Sequence, residues 1–200
     1  MGVTVFFGGT FNPLHIGHYE IVTALCEREE IDKVYIMPDR IPPHKSDAFL
    51  APDEDRIEMC RLAAEAHEKA EVLTIEFERE GKSYTFDTVC ELERRYPDTR
   101  FCMACGGDMI ATLDRWYRGE ELIKKIPFYG FKRAGEADFD AHVQRLREKG
   151  AQITVLDKEI TEVSSTALRE LLANGGTTKL LPPEIYEYII KRGLYKCVAP

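Results

Sequence analysis

The chain has a single tryptophan in 200 residues, no long uninterrupted apolar run and no excess of positive charge. Each shortage excludes a class of protein. The longest apolar stretches, 2–7 and 185–190, fall far short of the roughly 20 residues a membrane-spanning helix requires. No basic segment precedes the first apolar run, so no secretory signal is expected. The Met-Gly start is followed by Phe6, which breaks the myristoylation pattern. A net charge of −8 leaves no basic face for duplex nucleic acid. A small phosphorylated substrate stays open, because a pocket can be locally positive on an acidic protein. With 44% hydrophobic and 31% charged residues the composition is that of a globular protein rather than a disordered one. No repeat, low-complexity tract or interdomain linker interrupts it, and a single domain over 1–200 is expected.

The six cysteines are also short of what a metal site needs. Cys102 and Cys105 form a CxxC, yet no second pair follows at ligand spacing. They lie in an expected strand, where positions three apart face opposite ways. Cys26, Cys60 and Cys90 sit among apolar residues of expected helices and read as small core residues. The expectation is a reduced, cytoplasmic protein without a protein-held metal.

What is present is alternation. Short apolar runs at 3–7, 33–37, 72–77, 100–105, 127–131 and 152–156 read as strands. Helical periodicity covers 16–28, 53–67, 85–95, 108–114, 119–124, 138–149, 166–173 and 183–191. Residues 38–52 hold four prolines and read as a long loop. The charged stretch 76–80 reads as a solvated hairpin or strand end. Strands alternating with helices predict an α/β fold: a Rossmann-like, doubly wound parallel sheet with helices on both faces and helices at the C-terminus. Such sheets bind ligands beyond the C-terminal ends of their strands.

Four of those ends carry unusual residues. The loop after the first strand reads Gly8-Gly9-Thr10-Phe11-Asn12-Pro13-Leu14-His15-Ile16-Gly17-His18. The glycines allow close approach of backbone to ligand. Asn12 before Pro13 predicts a capped helix start. His15 and His18, three apart, can share one helix face, with Gly17 removing bulk between them. Imidazoles beside unpaired helix N–H groups suit a phosphate. No GxGxxG is present, which disfavours a dinucleotide-binding oxidoreductase. Near the other end, Ser164-Ser165-Thr166-Ala167-Leu168-Arg169 opens a helix with hydroxyls but without a capping box. That leaves N–H groups for an external anion, with Arg169 one turn in; an ordinary N-cap beside a surface arginine fits the same residues.

Together these segments resemble the nucleotidyltransferase superfamily that carries a GGTF-x-P-x-H-x-G-H loop and a late S-S-T-x-x-R helix start. Three further segments are similar to those of its bacterial nicotinate mononucleotide adenylyltransferase branch: Pro42-Pro43-His44-Lys45, Ser83-Tyr84-Thr85-Phe86-Asp87-Thr88, and Gly106-Gly107-Asp108 followed by Trp116-Tyr117. The resemblance implies transfer of AMP from ATP to nicotinate mononucleotide, with release of pyrophosphate and with Mg2+ accompanying ATP. It implies catalytic roles for His15, His18 and Arg169. It places ATP on Gly8, Gly9, Thr10 and Phe11 of the first loop, on Gly106 and Asp108, and on Ser164, Ser165 and Thr166. It places the acceptor on Lys45, Tyr84, Thr85, Trp116, Tyr117 and Arg133. Arg40 stands where the branch commonly has a small polar residue. A flat ring bearing a carboxylate fits these residues physically: Trp116 offers a stacking face, and Thr85 an expected helix start with hydroxyl and N–H donors. The resemblance leaves room for a homo-oligomer and implies neither nucleic-acid nor membrane partners. A sibling acting on nicotinamide mononucleotide or transferring CMP, and a silent nucleotide-binding protein, are the alternatives.

Overall fold

Val5, Phe6 and Phe7 are buried in succession, with Val5 and Phe7 in one apolar core and Phe6 in another. A strand apolar on both sides has to sit inside a sheet covered on both faces. This is β1 (Val3–Gly9) in a computed structural model that describes residues 2–41, 50–133 and 135–196. The other strands are β2 (Ile31–Pro38), β3 (Ala70–Val72), β4 (Phe101–Gly106), β5 (Phe128–Arg133) and β6 (Ile153–Ile160). They form one parallel sheet in the order β3-β2-β1-β4-β5-β6.

Helices α1 (Ile16–Cys26) and α2 (Asp53–Glu65) share one core with α7 (Ser165–Ala173) and α8 (Pro183–Arg192). Helices α3 (Thr85–Arg95), α4 (Gly107–Thr112), α5 (Gly119–Lys125) and α6 (Phe139–Glu148) cover the other face. The chain leaves β1 toward β2 on one side and returns to β4 on the other. The order reverses between β1 and β4, the switch point beyond whose C-terminal strand ends such sheets bind ligands. Cys102 joins one core and Cys105 the other, as their spacing predicts. Cys90 departs from expectation and is exposed. Among the described residues no helix is long and apolar enough to cross a membrane.

Two expected elements differ. The strand read over 72–77 ends at Val72, and Ile75–Glu78 forms a 3-10 turn. The reason is that Ile75 and Glu76 both turn inward and are buried, so the segment folds under the sheet edge rather than extending it. Glu76 is therefore not the solvated residue its neighbours suggest. Asn12 also does not cap α1. Its side-chain oxygen accepts from the Ala51 N–H at 3.0 Å and the Tyr195 hydroxyl at 2.8 Å. The helix starts instead at Ile16, with His15 at the N-cap.

Arg56, fully buried on α2, fastens the loops after β1 and β2 to each other. One terminal nitrogen donates to the Thr10 carbonyl at 3.0 Å and the Asp39 carbonyl at 2.6 Å. The other donates to the Arg40 carbonyl at 3.2 Å and to the Asp53 carboxylate at 2.7 Å. Asp39 adds a carboxylate contact at 3.3 Å and accepts from the Thr10 hydroxyl at 3.0 Å. A buried guanidinium is tolerated because carbonyls and carboxylates surround it; its removal strands those acceptors. The expected outcome for Arg56→Met is a loss of about 3–5 kcal/mol, read as a Tm lower by about 10 °C. A Tm within about 2 °C of the parent would contradict this assignment.

Candidate active site

The His15 and His18 rings stack at the start of α1, with centroids 3.6 Å apart and planes 18° from parallel. The spacing of three puts His18 one turn along, where its Nδ1 accepts from the His15 main-chain N–H at 3.3 Å. That bond holds the ring against the start of the helix. Phe11 meets the His18 ring edge-on at 5.1 Å, and Phe7 lies 5.9 Å from it. Phe11 holds this position with a left-handed backbone, φ 46°. Such a conformation in a buried aromatic residue stores strain that the surrounding packing must support. Gly9 makes room for it, since a Cβ there would stand 3.0 Å from the Phe11 ring. Gly8 has no comparable neighbour: the nearest atom to a Cβ would be 3.9 Å away.

Gly17 answers a different demand. A Cβ on it would lie 2.6 Å from the Thr161 carbonyl, just past β6. Glu20, one turn on, accepts from the Thr161 N–H at 2.7 Å and its hydroxyl at 2.8 Å. α1 thus grips the segment that leads into α7. Arg169 completes the junction by donating to the Asn12 carbonyl at 2.8 Å and to the Thr166 hydroxyl at 3.2 Å. The two motifs, 157 residues apart in sequence, meet through that bond. Ser164 caps α7, its hydroxyl accepting from the Ala167 N–H at 3.3 Å, so that N–H is taken by the cap. Ser165 and Thr166 form the first turn. Thr10 is likewise turned inward, onto Asp39.

On the far side of β1, Gly106 ends β4 and Asp108 lies in the first turn of α4. Asp108 accepts from Arg133, at the end of β5, at 3.0 Å. Both are partly exposed. Tyr84 is the N-cap of α3 and Thr85 its first residue. Tyr84 packs on Tyr117 with centroids 4.6 Å apart. Trp116 is half-buried against the second core, its ring N–H donating to the Thr112 hydroxyl at 3.2 Å. The Arg40 guanidinium donates to the Arg79 carbonyl at 3.0 Å. Lys45, with Pro42, Pro43 and His44, lies outside the described residues.

Among the described residues, the loop after β1, Gly106 and Asp108 after β4, Arg133 at the end of β5 and the segment after β6 all lie at the C-terminal ends of their strands. Sequence reasoning missed Arg56, Glu20 and Glu76. Arg56 looks like one more surface charge on an acidic helix, and only its partners reveal it. Among the described residues no group of three or more His, Cys, Asp or Glu is placed to hold a metal ion. The donors that converge here are imidazoles, guanidinium groups and main-chain N–H, a set that suits oxyanions.

Such a set at the switch point of a 3-2-1-4-5-6 parallel sheet defines a nucleotidyltransferase-type α/β domain. Residues 6–171 match the Cytidylyltransferase-like family model, and the chain belongs to that family. It is 37% identical over 191 residues to the nicotinate-nucleotide adenylyltransferase of Bacillus subtilis (strain 168), covering 95% of this chain and 96% of the relative. A relative from Geobacillus thermodenitrificans (strain NG80-2), named "Probable nicotinate-nucleotide adenylyltransferase", is 36% identical across 98% of this chain and 87% of its own. The fold matches the Plasmodium falciparum nicotinic acid mononucleotide adenylyltransferase complexed with NaAD, at TM-score 0.81 and 20% identity over 98% of both chains.

The grip of α1 on Thr161 makes a specific demand on Gly17. Gly17→Ala should force the Thr161 backbone away and move α7 relative to the histidines. A shift of about 1 Å is expected to lower kcat/KM for ATP about a hundredfold. Full activity in a folded Gly17→Ala variant would show that the two motifs do not need this contact.

Proposed function

We infer that this chain transfers AMP from ATP to nicotinate mononucleotide, forming nicotinate adenine dinucleotide and pyrophosphate, a step of NAD biosynthesis. The observation that carries the reading is the Arg169 to Asn12 bond, which unites two anion-binding motifs on one edge of the sheet. The names borne by relatives more than a third identical over nearly the whole chain support the same substrate pair.

The chemistry follows from the groups present. A 5′-phosphate oxygen of the acceptor attacks the α-phosphorus of ATP in line. A new P–O bond forms while the bond to the β-phosphate's bridging oxygen breaks, and pyrophosphate departs with that electron pair. The nucleophile is already an anion and needs no protein base. Catalysis is then positioning and stabilisation of charge. His18, held by its Nδ1 bond, directs Nε2 toward the α- and β-phosphates, and His15 backs it through the stack. Arg169, with the backbone of Ser165 and Thr166, receives the leaving pyrophosphate. Arg133 turns from Asp108 to the acceptor's phosphate, and Lys45 serves the same group. Asp108, beside Gly106, then meets the nucleotide's ribose hydroxyls. Trp116 stacks on the pyridine ring, Tyr84 and Tyr117 wall it, and the start of α3 at Thr85 donates to its carboxylate. A divalent cation, Mg2+ in this reading, arrives on the triphosphate oxygens rather than on a protein cage, because the donors here do not fit a cation.

An N–H-lined carboxylate site disfavours the neutral amide, whose NH2 group would face donors. Pyrophosphate release with Mg-ATP should therefore be much faster with nicotinate mononucleotide than with nicotinamide mononucleotide. A preference for the amide would overturn the assignment of Thr85 and Trp116, and release with neither would overturn the reaction. His18→Ala should lower kcat at least about a hundredfold with little change in Tm. Retained kcat would remove His18 from the mechanism.

A further inference from the structure

Ser83 and Thr88 flank the acceptor residues Tyr84 and Thr85, yet the mechanism gives them nothing to do. Both are buried, and both bond the same side chain. The Thr88 hydroxyl donates to Glu76 Oε1 at 2.8 Å, and the Ser83 hydroxyl bonds the same carboxylate. The Glu76 side chain is 6% exposed. Ser83 also accepts from the Arg40 N–H at 3.2 Å, while its own N–H donates to the Ile41 carbonyl at 3.0 Å. Thr88 Oγ1 sits 3.3 Å from the Tyr84 carbonyl and receives the Arg79 guanidinium as well. One carboxylate therefore ties together the loop after β2 and the first turn of α3.

We propose that Glu76 is a positioning residue for the acceptor site: its buried carboxylate fixes Ser83 and Thr88, and so sets where Tyr84 and Thr85 meet the acceptor's ring and carboxylate. The inference rests on the acceptor reading above. A buried carboxylate is costly, and an apolar residue would fill the 3-10 turn more cheaply if packing were the only need. Burial pushes its pKa up, with the nearby Asp39 acting in the same direction. The Ser83 and Thr88 hydroxyls, and Arg79 at 4.0 Å, favour the charged form. Such a group persists where it specifies geometry, because a carboxylate can accept from two hydroxyls at once and hold both in one register.

The test uses steady-state pyrophosphate release, thermal unfolding and amide hydrogen exchange on the wild type, Glu76→Ala, Glu76→Gln, Thr88→Val and the Glu76→Gln/Thr88→Val double variant. Glu76→Ala should raise KM for nicotinate mononucleotide about tenfold while KM for ATP stays within about twofold. Glu76→Gln, which keeps one acceptor, should fall between it and the wild type. The double variant should cost no more than Glu76→Ala, because the pair acts as a unit. Amides of 83–88 should exchange faster in every variant. If Glu76→Ala fails to fold, Thr88→Val carries the test, since it removes the hydroxyl at nearly constant shape. An unchanged acceptor KM in a folded variant, or equal rises in both KM values, would overturn the proposal. If the wild type does not use nicotinate mononucleotide at all, the acceptor reading fails. The exchange of 83–88 then decides the anchoring by itself: unchanged protection overturns it and increased exchange upholds it.

Discussion

The close approach of α1 to the end of β6 is the constraint on which the site depends. Gly17 has no side chain because the Thr161 carbonyl occupies the space, and Glu20 holds that residue by both its N–H and its hydroxyl. These contacts place the start of α7 opposite the histidines, and the Arg169 to Asn12 bond closes the gap. In the proposed reading neither motif alone would surround a triphosphate. A helix start offers only a few N–H groups and a partial positive charge, whereas two facing starts with imidazoles and a guanidinium surround a polyanion. In that reading a protein of net charge −8 still presents an oxyanion with imidazoles, a guanidinium and main-chain N–H groups.

A second grip supports the first from beneath. Arg56 links the loops after β1 and β2 through three carbonyls and two carboxylates. The C-terminal helix is fastened to the same region. Asp55, next to Arg56, accepts from the Tyr188 hydroxyl at 2.6 Å and from Arg192 at 2.7 Å. Burial raises the Asp55 carboxyl, and those two bonds outweigh it and hold the group below its ordinary range. Tyr195 then reaches Asn12, the residue whose carbonyl receives Arg169. Charged groups on α2 and the C-terminal segment therefore shape a loop that itself carries little charge. The start of α3 is anchored the same way, with the Glu76 carboxylate accepting from Thr88.

Most of the architecture could be read from hydrophobic period and turn residues. The buried run of β1 and the alternation with helices lead to the observed sheet. The histidine pair was legible because a spacing of three at a helix start permits only one geometry. Errors fell where a side chain found a distant partner. Asn12 reads as a cap, but Ala51 and Tyr195 claim its oxygen. The run at 72–77 has strand composition, but burial of Glu76 bends it into a 3-10 turn. Arg56 and Glu76 are charged residues in charged neighbourhoods, and local sequence carries no sign that they are buried. Their role is visible only once residues from separate elements are brought together.

The central claim is direct transfer: the acceptor's phosphate attacks ATP, and no protein group takes the adenylyl unit in between. The most direct test is the stereochemical course at the α-phosphorus, using ATP made chiral there by a single sulfur substitution. Inversion of configuration in the dinucleotide product is the predicted result, as a single in-line displacement requires. Retention would mean two displacements through a covalent adenylyl-protein, and would contradict a site built only to position and to stabilise charge.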